Sequence, residues 1–143
     1  MQDKKLKAIK IILAIMIAIF LAIVAFFVFQ EFEDFLRRIF IYMAVLAFIF
    51  LVLGIVLIVL AVKADIPRKL KIYLIMVGAS AASFLTGVIL HNLVYALMIV
   101  IFGEGFWGEG GDEAFFFIVA LIVAPLMFVV GVIGSVVGLI KKS

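Results

Sequence analysis

Four apolar runs, each too long for a strand and long enough to cross a bilayer, set the terms for what this chain can fold into. They cover about residues 8–29, 39–62, 72–102 and 115–140, and residues 11–29 carry no charge at all. A spanning helix needs about 20 predominantly apolar residues. A spanning strand needs only about 9–11, with inside/outside alternation. These runs do not alternate, and helices satisfy their own backbone in lipid. The pattern predicts an all-α integral membrane protein. Composition closes off the soluble alternative. The chain is 70% hydrophobic and 15% charged, against about 45–50% and about 25% for a soluble domain. A soluble fold of this size hides only about 70% of the surface its unfolded chain exposes.

The links between runs are short: residues 30–38, 63–71 and 103–114. Short links make sequential helices antiparallel neighbours. The expectation is an antiparallel four-transmembrane-helix bundle, one membrane domain over residues 1–143. Ala64-Asp65-Ile66-Pro67 reads as a turn, because a residue before proline is biased away from helix. Residues 1–10 hold Lys4, Lys5, Lys7 and Lys10, a basic segment like that of a signal peptide. The apolar stretch behind it exceeds the 7–15 residues of a cleaved signal and lacks a small-x-small site. It reads as a retained anchor.

Charge sets orientation. The N-terminus, the second link and the C-terminus fall on one side. They hold ten basic residues (Lys4, Lys5, Lys7, Lys10, Lys63, Arg68, Lys69, Lys71, Lys141 and Lys142) against Asp3 and Asp65. The other side holds Arg37 and Arg38 against Glu31, Glu33, Asp34, Glu104, Glu109, Asp112 and Glu113. Lys and Arg in short loops mark the cytoplasm. Both termini are therefore expected there, in a multi-pass protein of the cell membrane. A basic face of this kind favours anionic lipid headgroups, at about 1 kcal/mol per residue near the surface, rather than nucleic acid.

Helices in lipid associate through small residues and interhelical hydrogen bonds. Gly78-Ala79-Ser80-Ala81-Ala82-Ser83 in the third run and Gly131, Gly134, Ser135 and Gly138 in the fourth are expected to pack together at one depth. Gly87 is a further packing position. Pro125 is expected to kink the fourth helix and to leave the Leu121 carbonyl without its usual donor. The first two runs are greasy on every face, which suits lipid or a second copy.

Polar residues inside a membrane are functional candidates. Ser80, Ser83, His91, Asn92 and Tyr95 form the candidate intramembrane site, with His91 and Asn92 near the middle of the third run. The plain reading of His91 is a hydrogen-bonding lock between helices. A proton- or ligand-handling cavity is the second reading, since histidine is the side-chain type that switches charge near neutrality. A haem ligand paired with Met98 is the third. No cysteine and no second histidine occur, which argues against a zinc or iron site. No metal or cofactor is expected. Ser80 and Ser83 lie about 12–16 Å from His91 along a helix, too far for a nucleophile and its base. No carboxylate falls within a run, so no catalytic residue is assigned and no enzyme is expected.

Residues 103–113 hold five glycines and four acids around Phe106 and Trp107. They read as a solvated loop anchored at the interface by its aromatics. The acid spacing matches no calcium loop. Two function classes follow. The first is a non-enzymatic component or helper of a membrane assembly, as a homo-oligomer or in a larger complex. The second is a small transporter or channel with a polar cavity around His91, Asn92 and Tyr95. The environment of His91 separates them.

Overall fold

The computed structural model describes residues 2–28 and 33–142, with the side chains of residues 33–40 and 142 outside that description. Glu31, and the side chains of Glu33, Asp34, Arg37, Arg38 and Lys142, therefore lie outside the described part. The order is α1 (Gln2–Val28), α2 (Glu33–Lys63), α3 (Arg68–Phe102), α4 (Phe115–Ile118), a π-helical segment (Val119–Val123) and α5 (Ala124–Lys142). No strand occurs among the described residues. Four helices are long and apolar enough to cross a membrane: α1, Ile41–Lys63 within α2, α3, and the continuous Phe115–Lys141.

The links are tighter than expected. α2 is already helical at Glu33, inside the expected 30–38 link, and α3 starts at Arg68, inside the 63–71 link. Pro67, at φ −53°, stands just before the first turn of α3, where a proline's fixed φ suits a helix start. Its carbonyl accepts from the Lys71 N–H at 3.0 Å. α1 is tied to this link by side chains. Gln2 Nε2 donates to the Asp65 carbonyl, and Lys5 Nζ donates to the Lys63 carbonyl at 3.0 Å. Lys71 Nζ reaches the Val62 carbonyl at 3.2 Å.

Buried residues follow the helical repeat. In α1 they are Ile9, Leu13, Met16 and Ile23; in α2 Ala47, Phe50, Gly54, Leu57 and Ala61; in α3 Leu70, Leu74, Val77, Gly78, Ser80, Ala81 and Gly87. Steps of three, four and seven keep one seam of α1 and of α2 inward, and α3 is buried over a wider arc because it meets both α2 and α5. Phe128 of α5 joins three helices, stacking on Phe20 at 4.5 Å and meeting Phe50 at 5.2 Å.

α3 packs against both α2 and α5, and glycines set how closely. A Cβ placed on Gly78 would lie 2.5 Å from the Gly54 carbonyl oxygen and 2.6 Å from Ile58 Cγ1. Gly78 thus faces α2, not the fourth span as expected. Gly131 and Gly138 face α3, where a Cβ would meet Val77 and Leu70, and Gly134 lies under the Tyr73 ring. Ser135 is fully buried on the same helix, and its hydroxyl has no hydrogen-bond partner. Along these contacts the numbers rise on α3 as they fall on the fourth span: Leu70 with Gly138, Val77 with Gly131, Gly87 with Ala120.

At the expected Pro125 disturbance the backbone widens into the π-helical segment, where Ala124 N–H donates to the Val119 carbonyl, five residues back. A π turn is one way a helix accommodates a residue that cannot donate. It sets Ala120 against Gly87, where a Cβ would come within 2.9 Å of the Ala120 methyl.

Candidate functional site

α3 runs on past the end of α1 and the start of the fourth span. His91 lies beside Phe27, at the end of α1, and Phe117, at the start of the fourth span, yet α3 runs on to Phe102. Beyond His91 its apolar side chains are largely bare: Val100 is 81% exposed, and Leu93, Leu97, Ile101 and Phe102 are exposed too. Gly103, at φ 92°, then turns the chain, with its N–H on the Ile99 carbonyl at 2.8 Å. That left-handed φ favours glycine.

The loop folds back along α3. Trp107 stacks on Tyr95 with ring centroids 5.8 Å apart, and its Nε1 donates to the Tyr95 carbonyl at 3.2 Å. Residues 112 and 113 return to His91. The imidazole Nδ1 lies 2.8 Å from the Glu113 carbonyl oxygen and 3.3 Å from Glu113 Oε2. A carbonyl only accepts, so Nδ1 carries the hydrogen. Nε2 faces Asp112 Oδ2 at 3.7 Å. The ring of Phe117 covers the imidazole, with centroids 5.5 Å apart.

Glu113 is buried, contrary to the expectation of a wholly solvated loop. Its Oε1 accepts from the N–H groups of Phe115 at 2.7 Å and Phe116 at 3.1 Å, and Oε2 accepts from Phe116 at 3.0 Å. Its own N–H donates to Asp112 Oδ1 at 2.7 Å. A carboxylate in this position satisfies the free donors of a helix start and complements its dipole. Burial pushes the Glu113 carboxyl upward. The Phe116 N–H, the His91 side chain, the Phe115 N–H and the positive charge of a protonated His91 outweigh it, and together they hold the group below its ordinary value of 4.5.

His91 stands roughly 30 Å along the helix from Lys71. Asn92 is exposed and donates Nδ2 to the Val88 carbonyl at 2.8 Å. Ser80 is buried and donates to the Met76 carbonyl at 2.7 Å. Both therefore bond back to their own helix instead of reaching a neighbouring helix. Ser83 is half-buried. The five polar residues do not converge: Ser80 lines an aromatic cavity of about 320 Å³ with Phe20, Phe50, Phe84 and Phe128. His91 and Asn92 line a separate one of about 230 Å³ with Phe27, Phe117 and Leu121.

Glu113 and Asp112 are the partners that sequence reasoning missed. The available signal was their position, acids directly before an apolar run that starts a helix. Among the described residues no group of three His, Cys, Asp or Glu is placed to hold a metal ion. The imidazole and carboxylate meet with no nucleophilic side chain between them, so the arrangement fastens the 103–114 loop to α3 and caps the fourth span. No protein-family model matches the chain, and neither a curated protein nor a solved structure matches it, which leaves the site's own geometry to carry the functional reading.

Proposed function

We propose that this chain is a non-enzymatic component of a membrane assembly: an antiparallel bundle of four membrane helices, multi-pass in the cell membrane, with both termini in the cytoplasm. The observation that carries this reading is the occupation of the His91 ring. Its Nδ1 is held by Glu113 and its face by Phe117, as a lock requires. The ten-to-two count of basic residues supports the orientation, and the bare apolar end of α3 offers an assembly partner a surface. Whether that partner is a second copy or a different membrane protein is a matter for crosslinking in native membranes. Nucleic acid is not among the partners this reading admits.

The second reading, a small transporter or channel, rests on the cavity of about 230 Å³ beside His91 and Asn92. His91→Phe and Asn92→Ala separate the two. The lock reading expects His91→Phe to lower bundle stability by about 1 kcal/mol, the worth of one hydrogen bond, with proteoliposome cation and proton flux at the level of protein-free vesicles. Wild-type flux that disappears in either variant at unchanged stability would establish the transporter instead.

A further inference from the structure

The end of the bundle opposite His91 carries a groove of about 610 Å³ between α3 and α5. Tyr73, Ile133, Gly134, Val137 and Gly138 line it, with the Tyr73 ring seated on Gly134. Lys69 from α3 and Lys141 from α5 stand at its polar end. Both lysines are exposed, and neither makes an ion pair among the described residues. The first turn of α3, from which Lys69 projects, has no acidic residue and no side-chain cap. Its backbone N–H groups add positive potential at the same end.

We propose that this groove is a binding site for one anionic phospholipid. The phosphodiester sits between Lys69 and Lys141, and an acyl chain lies along Tyr73 and Val137. Charge complementarity selects the headgroup, and the apolar length of the groove selects a lipid over a free phosphate. Basic pockets between membrane helices recognise anionic headgroups in this way. Gly134 matters because it leaves room for the Tyr73 ring against α5, and that ring is a surface the acyl chain follows. The proposal rests on the reading that the chain spans a bilayer, but not on which side is cytoplasmic.

The test is retention of phosphatidylglycerol by the detergent-solubilised full chain, titrated and counted by native mass spectrometry, with phosphatidylcholine in parallel. One phosphatidylglycerol is retained in preference to phosphatidylcholine. Lys69→Gln and Lys141→Gln each weaken it about fivefold, the equivalent of about 1 kcal/mol per basic residue. Val137→Trp, on an exposed wall position, removes retention while helicity is unchanged. Lys4→Gln with Lys7→Gln, which removes as much charge elsewhere as the two groove substitutions together, leaves retention intact. The proposal is overturned if that control pair weakens binding as much as the groove lysines do. It is equally overturned if glycerol phosphate displaces the lipid at matched concentration, or if Val137→Trp has no effect. A chain that stays in solution without detergent defeats the membrane reading itself, and that is seen before any lipid is added.

Discussion

Replacing Gly78 by alanine tests the closest approach of one helix backbone to another at a glycine. The added methyl would stand 2.5 Å from the Gly54 carbonyl oxygen and 2.6 Å from Ile58 Cγ1. An ordinary carbon–oxygen contact is about 3.3–3.6 Å, so α2 and α3 must part by roughly 1 Å at this level. The obstacle is backbone and cannot rotate away. Overpacking of this kind costs about 1–3 kcal/mol, and Gly78 belongs at the upper end. Alanine returns about 1 kcal/mol through helix propensity. The net expectation is a loss of about 2 kcal/mol. Gly138→Ala is the internal comparison. Its methyl meets Leu70 Cδ1 at 3.1 Å, the far end of a side chain that can shift by a few tenths of an ångström, so propensity and crowding nearly cancel. Gly105→Ala is the blank, with nothing within 4 Å. Reversible unfolding in mixed micelles gives all three values. If Gly78→Ala proves no more destabilising than Gly138→Ala, the argument that α2 and α3 touch backbone to backbone at Gly54 and Gly78 is wrong.

Two further outcomes follow from the site and the charge pattern. Glu113 is held below its ordinary value of 4.5 in the folded chain. As pH falls, the unfolded chain therefore takes up this proton first. The Glu113 contribution is complete above about 4.5 and drains away as pH drops through the lowered value. Acid unfolding should accordingly become less steep in Glu113→Gln, and identical acid limbs for the two proteins would refute the assignment. For orientation, single cysteines at Gly105 and at Lys141 should label from opposite sides of intact cells, with Gly105 reached by an impermeant maleimide and Lys141 only after permeabilisation. Labelling of both from outside would end the proposed topology.

The four spans were legible because length and lack of charge decide them almost alone. The packing inside the bundle was not. In a helix surrounded by lipid both the buried seam and the outer face are apolar. The helical spacing of Ile9, Leu13, Met16 and Ile23 is therefore hidden among equally greasy neighbours in α1. Gly54 escaped notice for the same reason: it is a lone glycine in α2, and only its apposition to Gly78 gives it meaning. Small residues in the fourth span were easier, since Gly131, Gly134 and Gly138 repeat on one face. His91 and Asn92 stood out as polar residues in an apolar run, but nothing in that run shows that His91 meets the loop that follows it. Finding Glu113 beside His91 required knowing that the loop folds back along α3, which no local signal encodes.

The length of α3 has a consequence for where in a cell the molecule settles. The uncharged run of α3, residues 72–102, is about 46 Å long, against a hydrocarbon layer of about 30 Å. A helix with such excess is accommodated by leaning, by local swelling of the lipid around it, or by recruiting a neighbour, each at a fraction of a kcal/mol per Å. Small penalties summed over that excess act as a gauge. They are expected to favour thicker bilayers, and reconstitution into lipids of graded chain length would show whether the reach of a single helix sorts the molecule.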